Sequence, residues 1–346
     1  MITFLVVGRN DGYGVNLHKR TAISLNFLAS LCREPDDEII YVDCNTPEHE
    51  MTLVEAIGDT LTPAARRYLK AYRISKAQMQ SAIGDTPLPF SDELSRNVGI
   101  RRSNPNNAWL LSTNCDILLQ PIRTETIREV LAKLTPRFYL CPRISIPISQ
   151  WQMLDRMNVG QISAFCDEVI KRGYRLPPEK EQPWLRFASV GDFQLAPREQ
   201  WFQIGGCEES MKFWGHSDAN NAKRLSVLNG GGRTPDLADD LSVLHLDHNV
   251  SEASSHDATM VHNDWKRWID EVTTHTSQNS VGWGLPQENL PLIKLDQFYP
   301  EDPAVILKTQ RRQRNLLKRV QLGLHAAVWK KLSSTANKLD RKLTRK

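Results

Sequence analysis

Short apolar runs that end in polar residues are the main pattern in the first half of the chain. The runs ITFLVVG (2–8), EIIYVD (38–43) and WLLSTNCDILL (109–119) have the length and content of buried strands. Between the first two, the apolar residues of HKRTAISLNFLASL (18–31) recur at helical spacing. Because parallel neighbouring strands need such a crossover, the pattern predicts an open, mainly parallel α/β sheet flanked by helices.

Later segments extend this architecture. Helices are predicted over 63–71, 91–103 and 124–134 and from about 217, and strands over 137–148 and 241–249. Residues 46–90 are otherwise mixed, and residues 250–300 are rich in Ser, Thr, His, Asn and Pro, which is typical of loops. We therefore predict one α/β domain over 1–290, followed by a linker and a helical tail over 291–346.

Charge is distributed unevenly along the chain. Residues 308–346 contain 13 lysines and arginines against one acid, Asp340, whereas the rest of the chain holds 31 basic and 39 acidic residues. The net charge of +4 therefore comes from the tail, and an acidic body argues against nucleic acid as a partner. Apolar residues of the tail recur at helical spacing, so the tail is expected either to lie on an anionic membrane surface or to pack on the body or a partner.

The remaining composition is that of a water-soluble globular protein, with 40% hydrophobic and 24% charged residues. The N-terminal segment MITFLVVGRND has no basic lead-in and is too short to span a membrane, so we expect a cytoplasmic location. The six cysteines are scattered without metal-ligand spacing, and we expect them to stay reduced.

Polar residues follow each predicted strand of the first half. Arg9, Asn10 and Asp11 follow the first strand, Asp43 ends the second, and Asn114 and Asp116 interrupt the third. Ligands of open α/β sheets bind beyond the carboxyl ends of the strands. Acids and amides at several strand ends therefore predict a polar ligand site at one edge of the sheet.

In this order, the segments resemble the GT-A glycosyltransferases, in particular family 2 and its relatives. The resemblance covers about residues 2–249 and rests on FLVVGRND, EIIYVDCNTP, RNVGIRRSNPNNAWLLSTNCDILL, GDFQLAPREQWFQIGGCEE, FWGHSDANNAKRL and VLHLDHN. It implies a GT-A (Rossmann-like) fold, with a mixed, mainly parallel sheet flanked by helices. The implied reaction is transfer of a sugar from a nucleotide-sugar donor, a UDP-sugar in the first instance, to an acceptor hydroxyl with inversion.

The resemblance also implies a divalent cation. Its DxD-type motif corresponds to Asn114-Cys115-Asp116, in which an amide replaces the first acid, and Asp116 is expected to bind Mn²⁺ or Mg²⁺. His245 is implied as a further ligand. His245 and His248 are three residues apart, which on a strand sends them to opposite faces, so only one is expected at the site. A polar strand end and satisfied structural histidines are the alternatives.

The same comparison implies a nucleotide-binding set. Asp43 would accept hydrogen bonds from the nucleoside, or would form an Asx turn at CNTP. Two residues of the helix before the third strand would either reach the nucleotide or form a solvated basic face. The full set is Arg9, Asn10, Asp11, Asp43, Asn97, Arg101 and Asn114.

Residues of the second half correspond to the acceptor side. Asp218, in FWGHSDANN, is implied as the base that takes the proton from the acceptor hydroxyl, the alternative being a first-turn helix acid. Glu208 and Glu209 are second choices. Trp214 would form a wall for a sugar ring, or be part of the core.

These expectations combine into one hypothesis and two alternatives. The hypothesis is transfer to a glycan or lipid-linked acceptor in bacterial surface polysaccharide synthesis, at the inner membrane. A nucleotidyltransferase is the enzyme alternative, although GRNDGYG lacks the Thr-Arg-Leu loop of that class. A non-catalytic sugar- or nucleotide-binding relative is the other, because Asn114 and Ser217 stand where acids are expected.

Overall fold

The computed structural model describes residues 1–172, 190–248 and 261–295. By its internal contacts the chain divides into two compact units, Met1–Gln297 and Phe298–Lys346. The second unit, and with it the predicted basic tail, lies outside the described residues. The domain boundary at 290 therefore stays a prediction. Within the described part of the chain, no helix is both long and apolar enough to cross a membrane.

Strands and helices alternate through most of the first unit. The strands are β1 (Ile2–Gly8), β2 (Glu38–Cys44), β3 (Leu69–Ile74), β4 (Trp109–Asn114), β5 (Ile117–Pro121), β6 (Arg143–Ile146), β7 (Gln194–Pro197) and β8 (Leu241–Leu246). The α-helices are α1 (Leu17–Leu31), α2 (Leu53–Ala56), α3 (Pro63–Tyr68), α4 (Lys76–Ile83), α5 (Asp92–Arg102), α6 (Ile127–Ala132), α7 (Ile148–Trp151), α8 (Val159–Lys171), α9 (Arg198–Gln203) and α10 (Ser217–Leu228). A short 3₁₀ helix (Val190–Asp192) precedes β7, and a π-helical turn covers Lys266–Asp270.

The strands form two sheets. The larger has the order β3-β2-β1-β4-β7, parallel except for β7, which is antiparallel to β4. The smaller has the order β5-β8-β6, in which β8 is antiparallel to β5 and parallel to β6. The prediction of a mixed, mainly parallel α/β sheet flanked by helices is confirmed.

Helices cover both faces of the larger sheet. Phe4 and Val6 of β1 pack with residues of α1, whereas Leu5 and Val7 pack with residues of α5, as the alternation of side chains along a strand requires. A Cβ atom at Gly99 would lie 2.2 Å from a methyl group of Leu5, so glycine permits the close approach of α5 to β1. Burial on both faces explains why β1 and β2 are apolar throughout.

Three predicted strands are wrong in extent, and one of them is 241–249, where β8 ends at Leu246. The run 109–119 contains two strands, because Cys115 and Asp116 form a turn that passes the chain from the larger sheet to the smaller one. Within 137–148, only Arg143–Ile146 is a strand of a sheet. The predicted helix 63–71 ends at Tyr68, because Leu69–Ile74 form β3. This edge strand was missed because the exposed Lys70 interrupts its apolar run.

Candidate functional site

Three parallel strands end at one edge of the larger sheet and bring the predicted polar residues together there. Gly8 pairs with Asp43 and Val7 pairs with Asn114, so the ends of β1, β2 and β4 are level. The turn after β4 then carries Asp116. This is the edge at which ligands of open α/β sheets bind.

Asp116, His245 and His248 form a buried cluster at this edge. Oδ2 of Asp116 lies 3.4 Å from Nε2 of His248 and 3.7 Å from Nε2 of His245. One ligand atom from each residue lies within 4.8 Å of the others, and all three residues are buried. The register fixes this arrangement, because His245 pairs with Ile117 and the carbonyl of Asp116 accepts the N–H of Leu246 at 2.9 Å.

The expectation that only one histidine faces the site is corrected by the structure. It assumed that the strand continues to residue 248, but β8 ends at Leu246. Asp247 and His248 lie beyond the strand, and the indole N–H of Trp151 donates to the carbonyl of Asp247 at 2.8 Å. The rings of His245 and His248 therefore lie 5.3 Å apart on the same side, and His248 is a site residue that the spacing rule excluded.

The cluster fits a divalent cation. Burial, followed by the positive charge of Arg20, lowers the pKa of His248 to about 4 against the opposing effect of Asp116. At neutral pH His248 is therefore uncharged and has a ring lone pair to offer a metal. One carboxylate oxygen with two imidazole nitrogens suits Mn²⁺ better than Mg²⁺.

A buried arginine adjoins the cluster. Arg20 on α1 is 1% exposed, and its Nε atom lies 3.4 Å from Oδ2 of Asp116. Its two terminal nitrogens donate to the carbonyls of Val15 and Tyr13 at 2.7 and 2.6 Å. Arg20 therefore connects the cluster to the loop after β1. Sequence reasoning missed it because it stands within an ordinary amphipathic helix pattern.

The loop 9–15 borders the cluster. The Tyr13 ring packs edge-on against His248, with the ring centres 5.1 Å apart, and the N–H of Val15 donates to the carbonyl of His248. Gly14 has a φ of +66°, and a Cβ atom there would lie 2.6 Å from Nδ1 of His248. Only glycine therefore allows this loop to approach so closely.

The three predicted residues of this loop lie beside the end of β2. Arg9 donates through Nε to the carbonyl of Asn45 at 3.0 Å, and the Asn10 N–H donates to the Thr46 hydroxyl at 3.0 Å. Asp11 accepts the N–H of Tyr13 at 2.9 Å, which folds the loop tip on itself. These contacts fix the position of the loop, and the role of its side chains in nucleotide binding stays a prediction.

Asp43 has one carboxylate oxygen that is satisfied and one that is not. Oδ2 accepts from the hydroxyl of Thr46 at 2.9 Å and from the N–H of Leu53 at 3.3 Å. Oδ1 is buried and has no hydrogen-bond partner among the described residues. Burial raises the pKa of Asp43, and the hydrogen bonds from Thr46 and Leu53 oppose that effect. The bond from the Thr46 hydroxyl joins two side chains three residues apart, so it is not the backbone bond that defines an Asx turn.

Asn114 belongs to a polar network. Its amide oxygen accepts from Arg96 at 2.8 Å, and its amide nitrogen donates to Asp192 at 2.7 Å. The second oxygen of Asp192 pairs with Arg143 at 2.8 Å. Asn114 thus bridges a cation and an anion at the strand end, which a carboxylate could not do because it has no N–H to donate. Arg96, Asp192 and Arg143 are site residues that no sequence signal identified.

Asp218 lies beside this network. Its Oδ2 accepts the N–H of Gly191 at 3.1 Å. The next residue, Asp192, accepts the hydrogen bond from the Asn114 side chain. Burial raises the pKa of Asp218. Its hydrogen bond from Ala219 opposes that rise, and the charge of Asp92 adds to it. A carboxylate with a raised pKa is the more effective proton acceptor. Asp218 is also a first-turn acid of α10, as the alternative predicted, and its role as the base stays a prediction.

Four predicted residues lie away from the cluster. The N–H of Asn104, just beyond α5, donates to Glu38 at the start of β2, so the end of α5 lies at the opposite edge of the sheet. Arg101, near this end, stacks 3.8 Å from the ring centre of Trp283. Asn97 bonds to Cys207 and Glu209 in the turn after α9. Glu208 and Glu209 accept the N–H groups of Gln278 and Gly284. Their polar groups thus bind the protein itself, and their ligand roles stay predictions.

Trp214 lies in the loop that leads into α10. Its N–H donates to the carbonyl of Val261 at 3.1 Å, and its carbonyl accepts the N–H of Asn263 at 3.0 Å. The side chain is half-buried, so it is not a core residue. Its predicted contact with a sugar ring stays a prediction.

We expect the substitution Asn97→Ala to lower stability without changing nucleotide affinity. Asn97 accepts the N–H of Cys207 at 2.6 Å, and this buried group would lose its partner, whereas the Cys207 carbonyl would keep its bond from Asn279. The expected cost is about 1–3 kcal/mol in the free energy of unfolding, measured by urea denaturation. The exposed Asn106→Ala is the control. Weaker UDP binding by the folded Asn97→Ala variant would contradict this prediction and would show that Asn97 contributes to nucleotide binding.

No known family profile and no curated protein matches the chain. Solved structures do resemble it, and these neighbours are GT-A glycosyltransferases, the class that the sequence resemblance named. TarS of S. aureus in complex with UDP-GlcNAc is 13% identical, with 74% of this chain and 61% of that chain covered and a TM-score of 0.41. The mannosyltransferase PcManGT from Pyrobaculum calidifontis, in complex with GDP-Man and Mn²⁺, is 15% identical, with 73% and 58% covered and a TM-score of 0.43. GalNAc-T7 with UDP, GalNAc and Mn²⁺ is 12% identical, with 72% and 44% covered and a TM-score of 0.45. The chain thus spans less than two thirds of each of these structures.

Proposed function

We propose that the chain is a GT-A type glycosyltransferase that uses a nucleotide-sugar donor with Mn²⁺. The observation that carries this proposal is the buried ligand set of Asp116, His245 and His248 at the strand-end edge. Beside it lie the buried, unpaired oxygen of Asp43 and the loop 9–15, which packs on His248 at Gly14. A cation set, an acceptor for a nucleoside and the backbone N–H groups of a glycine-containing loop are what a nucleoside diphosphate needs.

In this proposal each part of the edge binds one part of the donor. Asp43 accepts a hydrogen bond from the base or ribose, and the cluster holds a divalent cation. A bound cation would supply positive charge to offset the negative charge that builds on the leaving diphosphate. Asn114 keeps Arg96 at the strand end, where the guanidinium adds to that positive charge.

Asp218 is the proposed base. Its carboxylate takes the proton of the acceptor hydroxyl while the acceptor oxygen bonds to the anomeric carbon and the bond from that carbon to the diphosphate oxygen breaks. One displacement of this kind inverts the anomeric centre. The short link from Asp218 through Gly191 and Asp192 to Asn114 supports a position near the cation cluster.

The acceptor and location rest on the sequence. A basic amphipathic tail supports binding to an anionic membrane surface, where a lipid-linked acceptor would be found. On this basis we propose a glycan or lipid-linked acceptor hydroxyl, bacterial surface polysaccharide synthesis as the setting, and a cytoplasmic enzyme peripheral to the inner membrane.

The test is a donor-hydrolysis screen of the full chain. UDP- and GDP-sugars are incubated with Mn²⁺, with Mg²⁺ and with a chelator, and the released nucleoside diphosphate is measured. We expect slow hydrolysis of one donor class with Mn²⁺ and none with the chelator. Donor binding without release under all conditions would favour a non-catalytic binder. Release of pyrophosphate from a nucleoside triphosphate and a sugar phosphate would favour a nucleotidyltransferase.

A further inference from the structure

Arg20 shares one carboxylate oxygen with the two histidines. Oδ2 of Asp116 faces Nε2 of His245, Nε2 of His248 and Nε of Arg20, at 3.7, 3.4 and 3.4 Å. The Arg20 Nε atom is buried and has no hydrogen-bond partner among the described residues. Its contact with Asp116 is therefore electrostatic, and it is directed at the oxygen that would bind a cation.

Few charges lie in this cluster. Asp116 supplies its one carboxylate ligand, and Asn114 stands where a second acid is expected. Among the described residues, the charged side chains close to His248 are those of Asp116, Asp247 and Arg20. Arg20 and a divalent cation would both be positive and would lie within a few ångströms of the same oxygen. Because like charges repel strongly in a buried site, each weakens the binding of the other.

We propose that Arg20 is the built-in counter-charge of the cation site and sets its affinity for divalent cations. Arg20 neutralises Asp116, so a bare cation binds weakly, and the missing negative charge comes from the diphosphate of the donor. The cation and the nucleoside diphosphate therefore bind cooperatively, and Arg20 limits cation binding in the absence of donor. This inference rests on the proposed function, because it needs the cation site.

A purely structural role for Arg20 makes a different prediction. Arg20 also holds the loop 9–15 through the carbonyls of Tyr13 and Val15. If that were its whole role, removing either the charge or the bonds would loosen the loop and weaken cation binding. A lysine keeps the charge but not the forked geometry of the guanidinium, whereas a glutamine removes the charge.

The experiment titrates the full chain with Mn²⁺ alone and follows free Mn²⁺ by electron paramagnetic resonance. We expect Arg20→Gln to bind Mn²⁺ at least about tenfold more tightly than the wild type, and Arg20→Lys to bind it as weakly as the wild type. Arg102→Gln is the matched control, because Arg102 also donates to backbone carbonyls, those of Gly284 and Leu285, at the opposite edge of the sheet. It is expected to bind Mn²⁺ as the wild type does.

The outcomes separate the inference from the proposed function. Mn²⁺ binding by the wild type with equal or weaker binding by Arg20→Gln overturns the role of Arg20 and leaves the cation site intact. No binding by either protein overturns both. If Arg20→Gln folds poorly, the proposal predicts that Mn²⁺ raises its melting temperature more than that of the wild type, because the cation replaces the lost counter-charge. An equal or smaller shift contradicts it.

Discussion

Asp116→Asn is expected to abolish Mn²⁺ binding and to lower sugar transfer by about a thousandfold. The substitution keeps the shape of the side chain but removes the negative charge that a hard cation requires. A cation on a leaving diphosphate contributes several kcal/mol to transition-state stabilisation, which corresponds to a factor on the order of 10³ in rate. Calorimetry with Mn²⁺ and donor-hydrolysis rates measure the two effects.

The effect of Asp116→Asn on catalysis must be separated from its effect on folding. Asp116→Asn leaves the buried Arg20 without its counter-ion, and an unpaired buried charge costs about 3–5 kcal/mol. The rates should therefore be measured at a temperature at which circular dichroism shows the variant folded. Asp85→Asn, an exposed acid, is expected to retain wild-type binding and rate. Unchanged Mn²⁺ affinity in folded Asp116→Asn would be inconsistent with the cation site.

Asp218→Asn is expected to lower kcat by about 10²–10⁴ while Mn²⁺ affinity stays the same, because an amide cannot accept the acceptor's proton. The pH profile gives a second test. The active form of a base is unprotonated, and burial raises the pKa of Asp218, so acidification should reduce kcat at a higher pH than for an ordinary aspartate. Asp218→Asn should lose this acidic limb.

The matched variant for this prediction is Asp239→Asn. The Asp239 side chain is 70% exposed in a surface pair with Arg123, and its loss should change neither kcat nor the pH profile. A folded Asp218→Asn protein with wild-type kcat would remove Asp218 as the base. A loss confined to KM would instead place it in acceptor binding.

The parallel core of the fold was predictable, because strands buried on both faces are apolar along their whole length. This property identifies β1, β2 and β4. It fails for β3, whose exposed Lys70 interrupts the apolar run at the sheet edge. It also fails at the turn after β4, since local apolar content does not reveal that the chain moves from one sheet to another.

The candidate site was predictable where a residue lies at the end of a strand, as Asp43 does, or just beyond it, as Asp116 does. His248 required the knowledge that β8 ends two residues earlier, which the pattern LHLDHN does not contain. Arg20 and Arg96 point inward from helices, and their sequence neighbours are ordinary for helix positions. Asn97 shows that a polar residue on a helix before a site strand can also fix the packing of a distant loop.

The turn that carries Asp116 has a mechanical consequence. It is the point at which the chain passes between the two sheets, and both histidines come from the end of the smaller sheet. A cation bound there would act as a cross-link between segments more than 120 residues apart in sequence, comparable to a disulfide that closes a long loop. Catalytic competence and resistance to unfolding would then depend on the same three side chains.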